Sequence, residues 1–116
     1  MKNILVLLGH PNAESYCAAL AKAYVKGASA SGHHVVLMNV AELKFDYNQI
    51  YGLKADQTLE PDLKLAQEKI KWAHHIVIVQ PVGWGSVPAV LKAFFDRVVL
   101  SGFAFKYKTE GPWWDK

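Results

Sequence analysis

The sequence predicts an open α/β fold, a parallel three-stranded sheet in the order 2-1-3 with helices on both of its faces. Three observations carry this. Short apolar runs stand at residues 3–8, 35–40 and 76–79, each of a length suited to a strand buried on both faces of a parallel sheet. Between and after them, apolar residues recur at spacings of three and four, the period of a helix with one buried stripe. The resulting order, β-α-β-α-β-α, builds a parallel sheet with right-handed crossovers. With strands 2 and 3 on either side of strand 1, the first two helices cover opposite faces and the strand order reverses between strands 1 and 3. Ligands of open α/β sheets bind at the carboxyl ends of the strands that flank such a reversal.

Taken in order, Asn-Ile-Leu-Val-Leu-Leu at residues 3–8 is the first strand, apolar after its first residue. The helix after it shows Tyr16, Ala19, Leu20, Ala23, Tyr24 and Gly27 at core-facing spacing, with Lys22 and Lys26 on the other side. "SGHH" interrupts that period, and "VVLMNV" at residues 35–40 reads as a second strand rich in β-branched residues. From Ala41 to Leu59 no period is sustained, which predicts a long irregular connection. In "EPDLKLAQEKIKWAHH" the helical spacing returns through Leu63, Ala66, Ile70 and Ala73, with Pro61 and Asp62 suited to the first turn. Ile76 to Val79 is the third strand. Pro88 then opens a third helix with Val90, Leu91, Phe94, Phe95 and Val98 apolar and Lys92, Asp96 and Arg97 polar.

At 116 residues the chain makes one domain, 1–116, and 52% hydrophobic content excludes disorder as its main state. The net charge of +3 is spread along the chain, so no nucleic-acid stripe is expected and a weak preference for anions is the most it supports. Cys17 is the only cysteine, which fits a reducing compartment. The apolar start is too short for a membrane span, so the expected location is cytoplasmic, without membrane insertion. His33-His34 and His74-His75 lack metal-ligand spacing, and strand-end solvation is the expected role; no metal site is predicted.

Two loops fall at the predicted reversal. "GHPNAESY", residues 9–16, joins a strand to a helix N-terminus, where free amides and the helix dipole favour an anion such as phosphate. It matches neither the dinucleotide fingerprint nor a P-loop, and offers His10, Asn12 and Ser15 instead. On this loop alone, helix capping by Asn12 or Ser15 is the preferred reading of those residues. "PVGWGSVP", residues 81–88, ends strand pairing at Pro81 and sets Trp84 between Gly83 and Gly85, where the backbone can approach a flat ring. Trp84 either covers an aromatic ligand or packs beneath its own loop.

"GHPNAESY" followed by "PVGWGSVPAVLKAFFDRVVLSGFAFKY" resembles the flavodoxin-like NAD(P)H:quinone oxidoreductases, a family that includes quinone reductases and ancillary proteins of potassium efflux systems. The similarity runs from the first strand to "GPWWDK". It implies a flavodoxin-like sheet, FMN or alternatively FAD as cofactor, NAD(P)H as co-substrate, and two-electron reduction of a quinone or similar small acceptor. By carry-over, His10, Ser15, Tyr16 and Cys17 line the flavin phosphate or ribityl chain. Pro81, Val82, Gly83, Trp84 and Gly85 follow the ring edge, and Phe105, Lys106 and Tyr107 join the substrate pocket of a neighbouring subunit in a homodimer. No residue is nominated as catalytic. The family usually carries a larger side chain at Gly83, and it continues through a fourth strand and a Thr- and Gly-rich flavin loop that this chain lacks. Ile76 to Val79 is therefore expected to be an exposed edge. The other functions weighed are a flavin-binding regulatory subunit of a potassium efflux transporter and an inactive truncated form.

Overall fold

Strand β1 (Asn3–Leu8) occupies the predicted residues and lies at the centre of a parallel sheet, between β2 (His34–Asn39) and β3 (His75–Val79). The computed structural model describes residues 1–10, 12, 14–48, 58–82 and 85–99, and the backbone of 105–108 and 111–114. Val6 is level with Leu37 on one side and Val77 on the other. Strand β2 ends one residue early because Val40–Glu42 turns into a short 3-10 helix, in which the Asn39 Oδ1 accepts the Ala41 N–H at 3.0 Å.

The alternation of β1 divides the interior in two. Ile4, Val6 and Leu8 face helix α1 (Tyr16–Ala30), while Leu5 and Leu7 face helices α2 (Pro61–Trp72) and α3 (Ala89–Val98). All five side chains are at most 5% exposed. Each such burial contributes about 1.5–3 kcal/mol, so the strand is apolar throughout because both its faces are inside.

Helix α2 buries the predicted Leu63, Ala66 and Ile70, followed by Ala73. In α1 the predicted stripe is not the buried one. Ala18 and Ala21 are buried, with Cys17, Val25 and Ala28 packed beside them, whereas Tyr16, Leu20 and Tyr24 are exposed. The helix lies against the sheet through its small residues, and bulky side chains at those positions would hold it off the β1 surface.

Arg97 also departs from expectation. It is the one buried charged residue among those described, 1% exposed, rather than part of an outer polar face. Its guanidinium donates to the carbonyls of Asp46 (2.5 Å) and Thr58 (3.2 Å) and to Glu60 Oε1 (2.7 Å). Glu60 Oε2 in turn accepts the Asp46 N–H at 2.5 Å, and Asp62 Oδ2 accepts that of Lys44 at 2.7 Å. The connection after β2, irregular as predicted at residues 43–48 and 58–59 but opening with the 3-10 turn at Ala41 and Glu42, is thus fastened to α3. Hydrogen bonding to Arg97 holds the Glu60 carboxyl below the ordinary glutamate value, against the opposing effect of burial.

Histidines at the amino ends of the flanking strands do more than face water. His33 Nδ1 accepts the Lys2 N–H and His74 Nδ1 accepts the Asn3 N–H, each at 3.0 Å, so they close the lower end of β1.

No described strand pairs with the outer edge of β3, where Ile76 and Ile78 are 38% and 46% exposed. Strands β4 (Phe105–Lys108) and β5 (Gly111–Trp114), which the sequence reading does not assign, pair antiparallel with Phe105 opposite Trp114. Among the described residues no helix is long and apolar enough to cross a membrane.

Candidate functional site

The carboxyl ends of β1 and β3 are tied together one residue beyond the sheet, where the Gly9 N–H donates to the Val79 carbonyl at 2.9 Å. Gly9 is confined there. A Cβ built on it would stand 2.9 Å from Leu91 Cδ2 and 3.3 Å from Leu91 Cβ, closer than real contacts allow without a shift of α3's side chain. The absence of a side chain lets the loop after β1 lie directly on α3, beside the exit of β3.

From Gly9 the backbone is held by a relay of short polar side chains. His10 Nδ1 accepts the Asn12 N–H at 2.9 Å, and Asn12 Oδ1 accepts the Glu14 N–H at 2.9 Å. Ser15 is the N-cap of α1, extended at φ −71° and ψ 166°, and its Oγ accepts the Ala18 N–H at 3.1 Å. Capping is therefore realised in the fold. It leaves the Ser15 hydroxyl proton available for donation, because the cap uses only a lone pair. No described residue accepts from the Tyr16 or Cys17 amide, and the first turn of α1 carries no acidic side chain. With Nδ1 engaged as an acceptor, a neutral His10 carries its proton on Nε2.

On the β3 side, Pro81 is half-buried, Val82 is 74% exposed and Gly85 has φ +75°, a left-handed conformation that glycine adopts without strain. Gly83 and Trp84 lie outside the described residues. The same end holds a group that sequence reasoning missed: Gln80 Oε1 is buried with no hydrogen-bond partner among the described residues. A buried amide oxygen left unpaired costs about 1–3 kcal/mol, and it suits a ligand N–H. Its only sequence signal is a polar residue directly after an apolar run that enters a ligand-facing loop.

Tyr16 is 77% exposed beside the helix start, and Cys17 is half-buried against the α1-side core. The backbone of Phe105, Lys106 and Tyr107 lies in β4; their side chains are outside the described residues. A depression of about 360 Å³ beside Ile4 and Tyr24 lies toward the amino end of β1, away from these loops, and one of about 180 Å³ is lined by Leu8, Lys22, Leu37, Asn39 and Glu42 at the carboxyl ends of β1 and β2. Among the described residues no group of three or more His, Cys, Asp or Glu is placed to hold a metal ion. The donor set therefore suits an anionic end group at the start of α1. The unpaired Gln80 oxygen adds an acceptor for a ligand N–H at the end of β3, and a flavin, with its phosphate and its ring N–H, presents the complements of both.

A family profile described as a flavodoxin-like fold matches residues 2–115. The rat protein named NAD(P)H dehydrogenase [quinone] 1 is 28% identical over all of this chain and 51% of its own length. An NAD(P)H:quinone oxidoreductase from Methanothermobacter marburgensis superimposes with a TM-score of 0.76 at 26% identity, over 91% of this chain and 57% of that one. The fold also recurs, at 19% identity and a TM-score of 0.74, in an FMN-dependent NADH-azoreductase from Bacillus anthracis solved with FMN, over 98% of this chain and 63% of that one. The chain spans about half the length of the curated relatives it matches.

Proposed function

Since the chain belongs to the flavodoxin-like family matched over residues 2–115, we propose that it holds the flavin of an NAD(P)H-dependent oxidoreductase that reduces quinones or similar small acceptors. The observation that carries this reading is the Gly9–Val79 hydrogen bond. It brings an uncrowded helix start and the glycine-bearing loop after β3 to one end of the sheet. Bound flavin, FMN in the first instance and FAD as the alternative, supplies the two-electron transfer between NAD(P)H and the acceptor.

The chain's own residues bind and orient. The Tyr16 and Cys17 amides, the Ser15 hydroxyl and His10 Nε2–H hold the phosphate or ribityl chain. Pro81, Val82, Gly83, Trp84 and Gly85 follow the edge of the ring, with Gln80 Oε1 as a further acceptor, and Trp84 shields the ring from water. Phe105, Lys106 and Tyr107 contribute to the acceptor pocket of a second subunit, in a cytoplasmic homodimer whose contact includes α3. No side chain here is assigned a proton-transfer step.

The experiment is an FMN titration followed by fluorescence quenching, then NAD(P)H oxidation with a quinone, expressed per bound flavin and compared with free FMN. Saturable quenching, a perturbed visible spectrum and acceptor-dependent oxidation are expected. A spectrum identical to free FMN, with no oxidation above the free cofactor, overturns the proposal.

A further inference from the structure

The depression of about 180 Å³ opens on the β2 side of the sheet, away from the outer edge of β3, and none of its lining residues is assigned to the flavin. Leu8, Leu37 and Asn39 reach it from the carboxyl ends of β1 and β2, Lys22 from α1 and Glu42 from the 3-10 turn after β2. Its apolar part is Leu8, 3% exposed, and Leu37, 36% exposed. Asn39 Oδ1 accepts the Ala41 N–H at 3.0 Å, which identifies the amide oxygen and leaves both Nδ2 protons without an acceptor among the described residues. Lys22 and Glu42 bring opposite charges to one small space, yet neither joins an ion pair among the described residues.

We propose that this depression binds a small zwitterion, an α-amino acid with a compact apolar side chain. The carboxylate meets Lys22 Nζ and the Asn39 Nδ2 protons, the ammonium meets the Glu42 carboxylate, and the side chain lies on Leu8 and Leu37. The chemistry of the lining selects this class. A simple anion drawn to Lys22 is repelled by Glu42, and a simple cation drawn to Glu42 is repelled by Lys22. A molecule that carries both charges answers each group, and the unspent Asn39 donors add to the demand for a carboxylate. Size sets the side chain. An apolar cavity of about 150 Å³ holds benzene, so a depression of about 180 Å³ takes a group of leucine's size with its charged ends at the rim. Lys22 and Glu42 are exposed, so water screens both ion pairs, and the dissociation constant is on the order of a millimolar. A bound amino acid ties α1 to the turn that follows β2.

The test is a titration of the isotopically labelled 116-residue chain, followed by amide NMR shifts, with L-leucine, N-acetyl-L-leucine and L-leucine amide as probes. The second probe keeps only the carboxylate and the third only the ammonium. L-Leucine should shift the Lys22, Leu37, Asn39 and Glu42 amides saturably and bind at least about three-fold more tightly than either comparison probe. Lys22→Met and Glu42→Gln, both at exposed positions and checked for folding by circular dichroism, locate the charges. Each should weaken L-leucine by about three-fold. Glu42→Gln should abolish the advantage of L-leucine over N-acetyl-L-leucine and keep its advantage over L-leucine amide; Lys22→Met should do the converse. Equal affinity for the three probes in the wild-type chain overturns the proposal and leaves an apolar dent alone, as do shifts confined to other residues. The absence of a saturable shift up to roughly 50 mM, far above the expected dissociation constant, overturns it as well. None of these readings depends on whether the chain binds FMN.

Discussion

Replacing Arg97 with alanine removes the fastening between α3 and the connection that follows β2. Arg97 is 1% exposed, and its guanidinium serves two backbone carbonyls and the Glu60 carboxylate, at 2.5, 3.2 and 2.7 Å. Breaking a fully buried pair by removing one partner costs about 3–5 kcal/mol. The Glu60 side chain is 29% exposed, so water recovers part of its charge on truncation and the lower end of that range must be discounted further. The expected loss is about 2–3 kcal/mol, read at pH 7 from the urea midpoint at unchanged slope. The pH dependence supplies the second half of the test. Because the folded state lowers the Glu60 pKa, its contribution is complete above the ordinary glutamate value and disappears as pH falls through the lowered one. The gap between wild type and Arg97→Ala should therefore narrow on acidification below about pH 4.5, the ordinary glutamate value. Arg97→Lys, which keeps the charge but cannot reach three acceptors in one plane, should fall in between. A loss below about 1 kcal/mol, or a gap independent of pH, refutes the reasoning.

Two further substitutions address the flavin end. Gly9→Ala should cost about 1–2 kcal/mol in urea unfolding, because the new methyl meets Leu91 at 2.9 Å and α3 must give way; wild-type stability would show that the Leu91 side chain turns aside freely. Ser15→Ala removes both the cap on Ala18 and the proposed phosphate donor, and should weaken FMN binding by about 1–3 kcal/mol in fluorescence titration. A stability loss with unchanged FMN affinity would confine Ser15 to its capping role.

Strand β1 and α2 are legible in the sequence because each buries an apolar set with no competitor, while β2 and β3 are legible as apolar runs although only Met38 among their residues is buried. Strand β1 is buried on both faces, so continuity itself marks it. In α1 the period is equally clear, but two stripes share it. One is bulky (Tyr16, Leu20, Tyr24) and one small (Ala18, Ala21, Ala28), and the flat sheet surface accepts the small one. Hydrophobic weight alone favours the wrong face in such a helix. Arg97 is illegible because its partner Glu60 lies 37 residues away, and nothing local separates a buried arginine from a solvated one. The loops at residues 9–16 and 81–88 stand out through composition. The bond that joins their strands runs between the Gly9 and Val79 backbones, where side-chain identity carries no trace of it. Strands β4 and β5 escape because aromatic runs in "FAFKY" and "GPWW" offer too few residues for alternation to register.

The first strand to be synthesised is the last to acquire its surroundings. Strand β1 lies between two partners that follow it in the chain, and its lower end is closed by His33 and His74, 31 and 71 residues further along. At roughly 5–20 residues per second, translation takes about 4–14 s to proceed from Leu8 to Val79. Throughout that interval a five-residue apolar segment has no complete sheet to enter, and a nascent chain arrested before His75 should leave β1 open to protease and to chaperone capture. Arrest beyond Val98, with the whole of α3 clear of the ribosome, should protect it. The burden on the cell's folding machinery is thus set by the position of β1 in the gene as much as by its hydrophobicity.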